Sequence, residues 1–90
     1  MVMKSPDGTV VFVEVKSRVA NPFGSALEQI DETKISHLKR AIDVFLDQKN
    51  WQEKSCRLDG VGIEYRVIED DEDYKFEIID IEHVEDLTGW

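Results

Sequence analysis

The sequence predicts a single α/β domain, borderline α+β, with a central mixed sheet of about four strands and one long helix. Three observations predict it. Val10 to Val13 is a run of apolar, largely β-branched residues, apolar on both faces, the composition of a central strand covered on each side. The segment from Glu32 to Lys49 carries one apolar stripe at helical spacing. Two later segments, Arg57 to Arg66 and Tyr74 to Ile81, read as strands on either side of an acidic run.

The chain opens as a β-hairpin. Pro6-Asp7-Gly8 is a turn signal, because Pro presets φ and Gly tolerates positive φ. It separates Val2-Met3-Lys4 from the strand that runs through Val10 to Lys16. A loop follows over residues 17–25, containing Asn21-Pro22-Phe23-Gly24. Ser25 and Glu28 then stand at capping-box spacing, in which the two side chains satisfy each other's free amides, so a short helical turn is expected.

The long helix begins near Glu32 or Thr33 and ends near Lys49-Asn50. Ile35, Leu38, Ile42, Phe45 and Leu46 form its buried stripe, and Lys34, His37, Lys39, Arg40, Asp43 and Asp47 take much of the remaining surface. In the next strand Val61, Ile63 and Tyr65 alternate, and Gly60 and Gly62 mark a bulge or a close approach of backbone. Glu69 to Asp73 reads as a solvated hairpin tip without the glycine and spacing of an EF-hand loop. One helix cannot cover both faces of a sheet. Val10, Phe12, Val11 and Val13 ask for cover on both, so a further segment or a second copy of the chain is expected to supply it.

The totals bound the class. Ninety residues make one small domain, able to bury roughly 60–65% of its unfolded surface. No apolar run approaches the roughly 18 residues needed to span a bilayer, and the first residues lack a signal-peptide pattern. The single cysteine, Cys56, cannot form an internal disulfide, so a reduced, cytoplasmic protein is expected, with Cys56 a small core residue. A net charge of −9 argues against simple polyanion binding, which rests on Lys and Arg. The distribution is uneven, however. Residues 1–58 carry nine bases and eight acids, net +1, whereas residues 59–90 carry two bases and twelve acids, net −10.

Chemistry enters at the end of the central strand. Side chains alternate along a strand, so Glu14 and Lys16 share one face. A carboxylate and an ammonium closing an apolar strand must be solvated, paired or used. A carboxylate can help hold Mg²⁺ through oxygen, leaving other positions to water and a substrate phosphate. An adjacent ammonium can stabilise phosphoryl charge or orient a water. The bland alternative is a surface ion pair worth about 0–1 kcal/mol.

The strand Val11-Phe12-Val13-Glu14-Val15-Lys16-Ser17-Arg18 is followed by Phe23-Gly24-Ser25, Glu28, Lys34, Leu38, Ala41 and Cys56-Arg57-Leu58-Asp59. This stretch resembles the YraN-like family of predicted endonucleases, assigned to the PD-(D/E)XK restriction-endonuclease-like superfamily and considered distantly related to archaeal Holliday-junction resolvases. The resemblance runs from about Val10 to Ile63, with weaker support at Glu82-His83-Val84. It implies a restriction-endonuclease-like core, with Glu14 a ligand of Mg²⁺ or Mn²⁺ and Lys16 the catalytic lysine. Arg18 would line the same site or contact phosphate, and Lys34, Lys39 and Arg40 would meet a DNA backbone.

The family pattern also has an acidic residue on the preceding strand and an N-terminal helix over the sheet, and this sequence shows neither. Asp7 lies in the turn and Asp59 on a different strand, so neither replaces the acid. The domain is therefore expected to be N-terminally incomplete, with Met1 an internal start or the beginning of a shortened relative. Cleavage by these ninety residues alone is not expected.

The remaining polar residues take ordinary roles. His37 borders the helix stripe, His83 stands alone near the tail, and Asp59 is expected to be structural, bonded to Arg57 or a loop backbone. Trp51 and Trp90 are partner contacts or, more ordinarily, caps on the core. The reading set against a nuclease is a non-catalytic module, either a homodimer hiding the open sheet face or one whose acidic third binds a basic protein.

Overall fold

The computed structural model of the protein describes residues 1–70 and 72–88. Asp71 of the acidic run and Trp90 lie outside them. The elements run β1 (Val2–Lys4), β2 (Val10–Val19), a 3₁₀ turn (Ala26–Gln29), α1 (Glu32–Lys49), β3 (Cys56–Asp70) and β4 (Asp73–Val84). They form one four-stranded mixed sheet in the order β1-β2-β3-β4 with a single long helix, as the sequence predicts.

β1 and β2 pair antiparallel around a turn in which the Ser5 carbonyl accepts from Gly8 N at 2.9 Å and Gly8 sits at φ 89°. β2 and β3 are parallel, in register from Val10↔Cys56 to Val19↔Tyr65, because α1 carries the chain back across the sheet between them. β3 and β4 close an antiparallel hairpin.

Each end of α1 has a local cause. The Asp31 side chain accepts the Lys34 amide at 2.8 Å, which satisfies a free donor of the first turn. At the other end Asn50 adopts the left-handed conformation (φ 57°, ψ 40°). Its amide reaches the Asp47 carbonyl, and Trp51 N reaches Leu46 O at 2.8 Å, a Schellman ending.

Val10, Phe12, Ile42, Leu46 and Leu58 are buried together, with Leu38, Phe45, Trp51, Cys56 and Leu87 packed around them. Each fully buried aliphatic or aromatic side chain contributes about 1.5–3 kcal/mol. Phe45 meets Phe12 edge-on at 5.6 Å and Trp51 at 5.9 Å, so Trp51 caps the core. Burial, reinforced by the charge of Asp43, raises the pKa of the Cys56 thiol, in keeping with a packing role.

The structure refines the local expectations. The turn after Ser25 is 3₁₀, and Ser25 makes no side-chain cap. The Glu28 amide that a capping box would use already donates to the Ser25 carbonyl at 3.2 Å. Of the two roles open to Gly60 and Gly62, the structure shows the close approach of backbone, while the bulge falls at Glu64/Tyr65. They provide room. A Cβ on Gly62 would lie 2.9 Å from Leu27 Cγ and 3.3 Å from Leu27 N, so the 3₁₀ turn sits almost on the β3 backbone. β2 runs on through Val19 into the expected loop, and both late strands are longer than their apolar patterns indicate and take in most of the acidic run.

That extra length sets the shape. Beyond Tyr65, β3 has only β4 as a neighbour, and the molecule measures 54 × 24 × 21 Å. Its radius of gyration, 16.2 Å, exceeds the roughly 12 Å of a compact domain this long. The helix covers one face of β2 and β3. On the other, Val11, Val13, Val15, Val61 and Ile63 line an open apolar concavity of about 520 Å³, and no helix lies over it among the described residues.

Candidate functional site

Glu14 and Lys16 lie where β2 runs out past α1, on the face that carries Val10 and Phe12 lower down. The pleat places them there, two residues apart on one side. Glu14 Oε1 is 3.4 Å from Lys16 Nζ and 3.7 Å from Lys34 Nζ. The Asp31 cap fixes the first turn of α1, and that turn delivers Lys34 to the strand end. Glu14 is the most enclosed of the three, with its side chain 20% exposed. An apolar cleft of about 240 Å³ lies beside it, lined in part by Phe12, Leu38, Ala41 and Phe45.

Arg18 is on the same face, two residues further along β2. Its Nη1 donates to the Ser25 carbonyl at 3.0 Å, so it also ties the loop before the 3₁₀ turn back to the strand. Four of the residues singled out in the sequence, Glu14, Lys16, Arg18 and Lys34, therefore gather at one strand end. Lys39 and Arg40 do not join them. They lie five and six residues after Lys34, about 140° and 240° further around the helix. Arg40 is exposed on the side away from the core stripe.

Lys16 and Lys34 flank Glu14, with Arg18 two residues further along the strand, while Glu64, beside Arg18 on β3, and Glu82, beyond Gly62 on β4, carry negative charge on the same face of the sheet. At partial exposure each ion pair contributes about 0–1 kcal/mol, so the cluster is poorly explained as a stability device. It also does not make a metal site. Mg²⁺ and Mn²⁺ need an octahedral set of hard oxygen ligands. The cluster supplies one carboxylate, already flanked by two ammonium groups, and no group of three His, Cys, Asp or Glu among the described residues could hold a metal. Asp59 is no substitute. It stands opposite Val13 in the β2–β3 register and so belongs to the other face of the sheet.

Asp59 is instead the centre of a structural node. It is 1% exposed and accepts from Arg57 Nε at 3.0 Å, Arg57 Nη2 at 3.2 Å and the Asp86 amide at 3.0 Å, with His83 Nε2 2.9 Å away. Burial by itself would raise the carboxyl pKa. The Arg57 guanidinium, the Asp86 amide and His83 outweigh it and hold the pKa below the ordinary value. The bond to Arg57 is the one expected from sequence, but His83 does not stand alone. Nothing in a 24-residue separation signals that contact, which follows from the pairing of Val61 with His83.

The sequence profile of the family described as "Uncharacterised protein family UPF0102" matches residues 1–63. The chain belongs to that family. A UPF0102 protein of Pseudomonas paraeruginosa is 44% identical over 57 residues, covering 62% of this chain and 46% of the relative. One from Neisseria meningitidis serogroup C is 40% identical over 57 residues, 63% and 50% of the two chains. One from Pseudomonas entomophila is 43% identical over 65 residues, 71% and 52%. The chain thus spans about half the length of the curated UPF0102 relatives it matches. No solved structure matches it. The UPF0102 match takes in Glu14, Lys16, Arg18 and Lys34 and ends before β4. No helix among the described residues is long and apolar enough to cross a membrane.

Proposed function

We propose that this chain is a nuclease-type domain that grips the phosphodiester backbone of DNA at the Glu14, Lys16, Arg18 and Lys34 end of β2. The observation that carries the proposal is the convergence of Lys16 and Lys34 on Glu14 Oε1, at 3.4 and 3.7 Å. The E-x-K pair lies on a central strand of a mixed sheet, and the sequence around it resembles a PD-(D/E)XK nuclease. Both ammonium groups are partly solvated, so a phosphate oxygen can reach them without a large desolvation cost. Glu14 holds the two ammonium groups at the strand end, and Arg18 fixes the loop before the 3₁₀ turn against the strand by bonding Ser25.

In this reading Mg²⁺ or Mn²⁺ is the metal of the complete family site, and Glu14 stands at the position of one of its ligands. The residues here fall short of that site, because they offer one carboxylate and no cluster of ligands. No hydrolytic step is assigned to them. The activity proposed for these ninety residues is backbone binding.

Fluorescence anisotropy with a labelled DNA duplex of about 20 base pairs at about 50 mM salt tests the reading. Salt-sensitive binding is expected, weakened several-fold by Lys16→Ala and by Lys34→Ala and little changed by Arg40→Ala. Binding that ignores Lys16 and Lys34, or no binding at this ionic strength, overturns it.

A further inference from the structure

The longest unsatisfied feature of the fold is the outer edge of β4. It ends the sheet, and all twelve of its residues, Asp73–Val84, are exposed. An edge strand presents alternate N–H and C=O groups with no partner, and folded proteins usually shorten such a strand or break it with proline. β4 is long and contains no proline. One irregularity interrupts it, where Ile79 is the extra residue between the Tyr65↔Ile78 and Glu64↔Asp80 pairs.

The two faces of this edge differ sharply. Tyr74, Phe76, Ile78, Ile81 and His83 point to one side, in register with Glu69, Val67, Tyr65, Ile63 and Val61. Phe76 is 71% exposed and Ile81 59% exposed, a large area of apolar side chain left in water. The other side carries Asp80 and Glu82, with Glu64 directly opposite Asp80. Like charges facing one another across an antiparallel pair are destabilising. None of the three has an ion-pair partner among the described residues. Arg18, the register neighbour of Glu64 on β2, gives its Nη1 to the Ser25 carbonyl instead. By contrast Glu77, further out on the same side, is matched by Arg66 at 2.9 Å.

We infer that β4 is a docking edge for an extended, basic, amphipathic segment of another protein, which adds to the sheet as a fifth strand. Its backbone pairs with the outer edge of β4, which has no strand neighbour among the described residues, as in other strand-addition complexes. Apolar residues at alternate positions cover Phe76, Ile78 and Ile81. Lys or Arg between them meets Glu64, Asp80 and Glu82 and relieves the like-charge pair. A second copy of this chain is the wrong occupant, because antiparallel β4–β4 pairing would bring two acidic sides together. Nucleic acid is excluded at this edge by the same charge.

The test uses the whole chain with two synthetic eleven-residue peptides (about the length of β4), one alternating Lys and Val and the other alternating Glu and Val. At about 50 mM salt the Lys/Val peptide is expected to bind saturably, to shift the amide signals of residues 73–84, and to protect part of that edge from hydrogen exchange. The Glu/Val peptide is expected not to bind. The double variant Asp80→Lys with Glu82→Lys keeps the fold, since a lysine at 80 faces Glu64, and weakens the Lys/Val peptide about tenfold or more. Equal binding by this variant overturns the proposal, as do shifts confined to residues outside β4. A chain that is already a β4-paired dimer in solution would also overturn it.

Discussion

Replacing Asp59 by Ala removes a buried carboxylate on which four contacts converge: two from Arg57, one from the Asp86 amide and one to His83. Breaking a fully buried, hydrogen-bonded charge pair costs about 3–5 kcal/mol. Here Arg57 is 32% and His83 49% exposed, so water can take over part of what they lose, and about 2–3 kcal/mol is expected. For ninety residues the whole stability is about 5–13 kcal/mol, and each kcal/mol moves the midpoint by about 4–8 °C. A fall in Tm of roughly 10–20 °C at pH 7 follows. Asp59→Asn keeps an acceptor for the Asp86 amide and should lose less.

Acid provides the control. The folded carboxyl pKa is held below its ordinary value, so its stabilisation is complete above the unfolded pKa of about 4 and is lost as pH falls through the folded pKa. The wild type and the alanine variant should therefore converge as pH drops from about 4 towards 2. The assay is thermal unfolding followed by circular dichroism across that range. A Tm change under about 4 °C at pH 7, or a gap that widens in acid, would refute the reasoning.

Two further substitutions probe the local structure around the site. Gly62→Val drives a side chain into Leu27, whose backbone nitrogen would lie 3.3 Å from the new Cβ. It should cost about 1–3 kcal/mol and speed amide exchange in the 3₁₀ turn. At the end of α1, Asn50→Val should cost about 1–2 kcal/mol in a left-handed position, whereas Asn50→Gly should be neutral or slightly stabilising. Urea denaturation distinguishes the two, and equal stability of the valine and glycine variants would mean that the Schellman ending is not what fixes Trp51.

The helix and the central strand were readable because their patterns are local. Ile35 to Leu46 is a single stripe, and Val10 to Lys16 is apolar until its chemistry begins. The Glu14/Lys16 pair followed from pleat alternation alone. Lys34 at the same spot did not, because it depends on where Asp31 starts the helix relative to the end of β2. The late strands were underestimated at their polar ends, where pairing between β3 and β4 carries the backbone past the apolar residues. His83 beside Asp59 and Leu27 against Gly62 are consequences of sheet register and turn placement, which no short window of sequence contains. The uncovered face of β2 and β3 was anticipated from a count of helices, and the wholly exposed length of β4 was not.

The central claim is that the strand end where Lys16 and Lys34 converge on Glu14, rather than the acidic remainder of the molecule, meets DNA. The most direct measurement is a two-dimensional NMR titration of the whole chain with an unlabelled DNA duplex at about 50 mM and again at about 200 mM salt. The account predicts shifts centred on Glu14, Lys16, Arg18 and Lys34 that shrink at the higher salt, with β4 unmoved. Shifts that leave residues 14–18 and 34 untouched, or a spectrum unchanged by DNA at the lower salt, would contradict it.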